Sequence, residues 1–248
     1  MAKPRKKHVQ LELPKAPKLD KNGQHRGGKR DGAGRKPKNG IRAGESHDRR
    51  PALTKRTPIH VTLRVARDLD SLRRRHIYHA VRLALGSIFE RDDFKVVHLS
   101  LQHDHIHMLV EADNRRALTN GMRTLNNVIA RLINDAVTRR TGRERTGTVF
   151  ADRYHEEVIR TPTQARYALR YVVNNWRKHG DHRGRTWLID PFSSAAVFEG
   201  WTELADSPTL FRTRETYKRL PVWRARTWLL REGWRRAGAI SVYDVPSA

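Results

Sequence analysis

Residues 101–111 read LQHDHIHMLVE, the stretch that most narrows what this chain can fold into. Histidines stand at 103, 105 and 107, and hydrocarbon stands between and after them at Ile106, Met108 and Val110. A helix would scatter these positions around its axis, whereas a strand sends alternate side chains to opposite faces. The pattern therefore predicts a strand over 105–111 with one face of imidazole and the other in a core. FKVVHLSL (94–101) lies just upstream and reads as its hairpin partner, and PIHVTLRV (58–65) alternates as a further strand.

Helical spacing fills the gaps. Leu72, Ile77, Val81, Leu85, Ile88 and Phe89 recur through 70–91, with Asp70 or Ser71 as the expected N-cap. Leu118, Met122, Leu125, Ile129, Leu132, Ile133 and Ala136 form one stripe over about 116–138, closed by Gly142. TVFADRYHEEVI (148–159) reads as a fourth strand, bent or interrupted around Asp152-Arg153. Thr161-Pro162-Thr163-Gln164 then opens a helix with a capping box, running to about His179 and stopping at Gly180. The order β-α-β-β-α-β-α predicts an α+β domain, an antiparallel sheet covered by helices in a ferredoxin-like arrangement. No glycine-rich phosphate loop follows any strand.

Three regions follow. Residues 1–57 carry 18 basic against 5 acidic residues and no apolar periodicity, which predicts a disordered basic arm. Residues 58–182 hold the periodic elements, and 183–248 form a Trp/Arg-rich C-terminal extension. For the tryptophans of Trp187–Trp201 and Trp223–Trp234, ordinary core packing is the first expectation and stacking on unpaired bases the second.

Charge sets the partner. With 51 Lys+Arg against 26 Asp+Glu the formal charge is +25, and such a surface favours a polyanion, nucleic acid first. No apolar run spans a bilayer, no amphipathic anchor or lipidation signal appears, and the N-terminus lacks the apolar middle of a secretory signal. The absence of cysteine excludes disulfides, thiolate zinc sites and cysteine nucleophiles. It fits a cytoplasmic setting.

In the arm, Gly34-Arg35-Lys36-Pro37, followed by Lys38, resembles the extended hook that lays basic side chains in a narrow A·T minor groove; a plain basic linker is the other reading. Arg139, Arg140, Arg145 and Arg153 read as phosphate contacts.

Imidazoles two apart on one strand face can share a cation, or they can be ordinary polar groups on a solvated face. A cation would need a third ligand from elsewhere. On the capped helix Ala165, Leu169, Val172, Val173 and Trp176 define a buried stripe, while Tyr167, Tyr171, Asn174 and Lys178 cluster on the other side. Asn175 lies between the two, one turn beyond Tyr171. A phenol and an amide thus sit near one rim.

These residues carry a resemblance. HDHIHMLVE resembles the HUH motif (histidine, hydrophobic, histidine) of single-strand DNA endonucleases. FADRYHEEVIRTPTQARYALRYVVNNWRKHG (150–180) is similar to a block of the REP-associated tyrosine transposases, relatives of insertion-sequence transposases that cut single-stranded DNA with one tyrosine. The likeness covers about 58–182 and extends weakly into DPFSSAAVFEGW (190–201).

It implies an HUH endonuclease fold, a divalent metal (Mg²⁺ or Mn²⁺) on His105 and His107, and Tyr171 as the nucleophile opening a Tyr-hydrophobic-x-x-Asn/Gln pattern. The third metal ligand falls on Asn175, one methylene shorter than the glutamine of some relatives; the usual Asn-Pro is Asn-Trp here. His103 stands where many relatives have proline and is not a ligand by this match. Tyr167, one turn earlier, is the competing nucleophile, while Tyr154 and His155 either line the site or pack the sheet.

The implied reaction is cleavage and rejoining of single-stranded DNA beside palindromic hairpins through a 5′-phosphotyrosine, in a bacterial, nucleoid-associated protein acting as monomer or homodimer. A phenol's ordinary pKa of about 10 means it needs help losing its proton. Two other classes stay open: a metal-dependent nuclease without a covalent intermediate, and a domesticated binder of DNA or RNA hairpins with an idle tyrosine. The strands lack the aromatic pattern of RNA-recognition sheets, which weighs against RNA.

Overall fold

The computed structural model describes residues 50–207 and 217–246. The basic hook at Arg35, Lys36 and Lys38 lies outside the described residues. Residues 50–57, expected in the arm, belong to the folded body: Leu53 is buried, Arg50 pairs with Glu156 at 2.9 Å, and Arg115 donates to the Pro51 carbonyl.

The elements run β1 (Ile59–Arg64), α1 (Arg75–Ser87), β2 (Phe94–Leu101), β3 (His105–Ala112), α2 (Arg115–Thr141), β4 (His155–Val158) and α3 (Pro162–Lys178). The extension adds short 3-10 turns and one further turn of helix, α4 (Trp228–Arg231). The strands form one sheet in the order β2-β3-β1-β4, with every neighbouring pair antiparallel. That is the ferredoxin-like arrangement expected from the element order.

Alternation decides what covers each face. Ile59, Val61 and Leu63 of β1 join Ile106, Met108 and Val110 of β3 in a core closed by Ile77, Val81 and Leu85 of α1 and Leu118, Met122, Leu125 and Ile129 of α2. On the opposite face Val97 and Leu109 pack against Ala165, Leu169, Val172 and Val173 of α3. The same cluster takes in Ile189, Phe198, Trp201, Leu229, Leu230, Trp234 and Ile240 from the extension. Trp201 and Trp234 are thus core, while Trp187 and Trp228 stay exposed.

Local chemistry explains the boundaries. The Asn114 side chain accepts from Ala117 N to start α2, and Gly142 closes it at φ 69°, a backbone conformation that costs glycine little. Thr161 and Gln164 cap α3 reciprocally as expected. α1 departs from expectation. It begins at Arg75, not at Asp70 or Ser71, because the preceding residues are held by tertiary partners. Leu72 N donates to His103 O, the Ser71 hydroxyl lies 3.0 Å from His103 Nδ1, and Arg73 grips Asp190 bidentately at 2.9 Å. β4 keeps only His155–Val158; upstream, Phe150 forms an isolated bridge with Val65, so the pairing is interrupted around Asp152-Arg153 as expected.

Candidate active site

β3 carries His105 and His107 on the face that meets α3. In the antiparallel register His107 stands opposite Thr62 of β1 on one side and Ser100 of β2 on the other. The two imidazoles lie 4.5 Å apart by ring centroid and nearly perpendicular. α3 crosses this face and brings the Tyr171 ring edge-on to His107 at 4.9 Å. Tyr167 is 51% exposed, with the Arg170 guanidinium 5.3 Å over its ring. Of the two tyrosines, Tyr171 is the one in ring contact with His107.

Each imidazole has its Nδ1 engaged. His105 Nδ1–H donates to Asp104 Oδ1 at 2.6 Å. His107 Nδ1 lies 3.1 Å from Thr62 Oγ1 and 3.2 Å from His60 Nε2. Burial pushes His107 down to about 2, reinforced by His60, His105, His179 and Lys178; burial, with His155, pushes His60 down to about 4. Both rings are neutral at physiological pH, the form in which imidazole ligates a metal.

Two further observations bear on a cation. His107 Nε2 is buried with no hydrogen-bond partner, and so are both Oδ1 and Nδ2 of Asn175, a residue only 1% exposed. Buried polar groups are normally satisfied, so unpartnered atoms on one imidazole and one amide fit a missing ligand. Among the described residues no three His, Cys, Asp or Glu side chains converge on a metal position. The donors that the resemblance implies are His105, His107 and the Asn175 amide, a mixed nitrogen and oxygen set of the kind that takes Mn²⁺ or Mg²⁺.

Other expected residues divide. Arg139 and Arg140 end α2 exposed, and Arg153 is exposed before β4. Arg145 turns inward to the Asn134 side chain and to Asp68 Oδ2 at 3.0 Å, so its guanidinium is occupied within the fold. His103 is held by Ser71 and by Asp181 Oδ1 at 2.9 Å, away from the ligand role. Tyr154 is buried, with the Arg50 guanidinium 3.9 Å over its ring, and His155 is exposed on β4. Asn174 is not on an exposed side: it is fully buried and donates to Ser241 O of the extension at 2.8 Å.

Sequence reasoning missed His60 and Thr62. The alternation in PIHVTLRV already placed them opposite Ile59, Val61 and Leu63, but only the β1–β3 register brings them to His107. Lys178 Nζ, 3.5 Å from the Tyr171 hydroxyl, was on the right side of the helix without an assigned task.

Residues 54–175 match the family model for IS200-like transposases. Over that segment, just under half of its length, the chain is similar to the IS200-like transposases. The match opens just before β1 and ends on Asn175, so it encloses β1 through most of α3 and all three candidate ligands. Among solved structures the chain is similar to a REP-associated tyrosine transposase bound to a REP hairpin, at 16% identity and a TM-score of 0.46, over 74% of this chain and 100% of that one. A comparison with curated proteins found no match. Among the described residues, no helix is long and apolar enough to cross a membrane.

Proposed function

We propose that this domain cleaves and rejoins single-stranded DNA beside short palindromic hairpins through a 5′-phosphotyrosine on Tyr171. One observation carries the reading: the Tyr171 ring packs edge-on against His107, whose Nε2 is buried and unpartnered, as is the Asn175 amide one turn further along the same helix. His105, His107 and Asn175 would hold Mg²⁺ or Mn²⁺. When bound, the cation supplies Lewis-acid stabilisation of charge on the scissile phosphate. The Tyr171 phenol gives its proton to water and its oxygen attacks phosphorus, forming the tyrosyl oxygen–phosphorus bond as the bond to the 3′-oxygen breaks; that oxygen takes a proton from water and leaves as a hydroxyl. The Lys178 ammonium, 3.5 Å from the phenol oxygen, stabilises the phenolate that attacks. Return attack by a 3′-hydroxyl exchanges one phosphodiester for another, so resealing needs no ATP.

Arg139, Arg140 and Arg153 contact backbone phosphates in this reading, and the arm with Arg35, Lys36 and Lys38 adds affinity. In this reading Tyr171 acts on a phosphate held at the His107 it packs against, and the protein works as monomer or homodimer in the bacterial cytoplasm at the nucleoid. The test is incubation of the full chain with Mn²⁺ and labelled single-stranded DNA carrying a hairpin, followed by a denaturing gel. A covalent adduct lost in Tyr171→Phe and retained in Tyr167→Phe is the expected result. Cleavage without an adduct makes the protein a simple nuclease, and binding without cleavage makes it an idle hairpin binder; either overturns the reading.

A further inference from the structure

We infer that His60 is a positioning residue, its imidazole accepting the Nδ1–H of His107 and so keeping the Nε2 of His107 as an open lone pair. The inference rests on the metal-binding part of the proposed function and concerns a side chain outside the donor set.

Proton accounting leads to it. A neutral imidazole carries one N–H, on either nitrogen. In His107, Nε2 has no partner, whereas Nδ1 has two neighbours within 3.2 Å. A proton on Nε2 would leave a buried donor unpaired and block ligation at that atom. With the proton on Nδ1 it is paired, and the unpartnered atom becomes the one a cation consumes. That tautomer requires His60 Nε2 to be the acceptor, because two N–H groups cannot face each other at 3.2 Å.

Two acceptors compete, and the rings separate them. Thr62 stands directly across from His107 in the strand register and reaches it only through its hydroxyl. His60 reaches across diagonally and also lies against the nucleophile candidate. The His60 ring is 5.2 Å from His107 and 5.7 Å from Tyr171, and these two are 4.9 Å from each other. Three rings thus close a triangle in which moving His60 disturbs both ligand and phenol. His105 shows the same device with Asp104 as its Nδ1 acceptor. Partners that orient a ligating histidine commonly set metal affinity by about 10- to 100-fold.

The experiment measures Mn²⁺ binding to the full chain by the loss of free-ion EPR signal, for wild type, His60→Leu, His60→Gln and Thr62→Val. Thermal melts run alongside to confirm folding. His60→Leu is expected to weaken binding by about 10- to 100-fold. His60→Gln, whose amide oxygen can take the same hydrogen bond, recovers most of that loss, and Thr62→Val loses less than His60→Leu. In the metal-free wild type, long-range ¹H–¹⁵N spectra of labelled histidine should show His107 protonated on Nδ1, a readout that needs no variant and no metal. Wild-type affinity in His60→Leu, equal losses in the Leu and Gln variants, or an Nε2–H form of His107 overturns the inference. A chain that forms no DNA adduct yet follows this order of Mn²⁺ affinities ends the phosphotyrosine reading alone.

Discussion

Replacing Asn175 with leucine should make the metal-free protein more stable while abolishing its proposed chemistry. Leucine has the branching of asparagine at Cγ, so it fills the same space without polar atoms. Both polar atoms of the Asn175 side chain are buried and unpartnered, on a helix turn otherwise packed by Val172, Val173 and Trp176. A polar group buried without compensation costs about 1–3 kcal/mol in proteins. Asn175→Leu removes that cost, and at roughly 2–4 °C per kcal/mol for a domain of this size the melting temperature rises accordingly. Metal reverses the order. At a Mn²⁺ concentration one hundred times its dissociation constant, wild type gains about 2.7 kcal/mol by linkage, and a variant lacking the amide donor gains far less. Thermal melts in EDTA and in Mn²⁺, with the adduct gel alongside, read both effects. If Asn175→Leu melts below wild type in EDTA, the amide is satisfied in the folded chain and is not waiting for a cation.

Three other perturbations test the frame around the site. A Cβ at Gly121 of α2 would overlap the fully buried Phe94 ring; overpacking of about 1–3 kcal/mol outweighs the helix-propensity gain of roughly 1 kcal/mol, so Gly121→Ala should lower the urea midpoint, and an unchanged midpoint refutes the packing. His98 is pushed down to about 4 by burial, with Ser194 Oγ 3.0 Å from its Nδ1. The unfolded chain therefore binds the extra proton below about 6.5, and His98's contribution is complete above that pH and lost towards pH 4 at about 1.4 kcal/mol per unit. His98→Gln should flatten the fall in stability between pH 7 and pH 5, and parallel curves for the two proteins would contradict it. Arg73→Met leaves the buried Asp190 carboxylate without its bidentate partner. A loss of about 3–5 kcal/mol is expected, with proteolysis advancing into the extension; wild-type resistance would remove Arg73 as its anchor.

How much of this was legible in the sequence depended on the range of the interactions involved. The β3 alternation, the capping box of α3 and the stripe of α2 are set by neighbours a few residues apart, and each appears where the pattern placed it. The start of α1 was not legible, because Asp70 and Ser71 look like caps while the chain there answers to His103 and Asp190, far along the sequence. His60 shows the same limit in the site itself. Its face was readable from period two, but its contact with His107 depends on strand register, which a single sequence does not encode locally. Arg145 shows the converse, a residue in a basic run that reads as a phosphate contact until Asp68 and Asn134 are found to hold it. Asn174 followed helical geometry to the exposed side, and the extension then covered that side.

That covering bears on where the phenol can go. α3 is held between the sheet and the extension, and three of its polar residues donate to extension carbonyls. Arg166 reaches Ala239 O through Nε at 3.0 Å, Asn174 reaches Ser241 O at 2.8 Å, and Arg177 reaches Leu188 O at 2.9 Å. On its other faces Leu169, Val172, Val173 and Trp176 are fully buried. Lifting α3 out to exchange it with a second copy would break those bonds and expose four large apolar side chains, each worth about 1.5–3 kcal/mol when buried. An unclamped helix would face only the sheet and could leave it far more readily. The carbonyls that clamp α3 therefore lie beyond position 175, where the family match ends. Under the proposed function, the extension would therefore favour the pairing of Tyr171 with the histidines of its own chain.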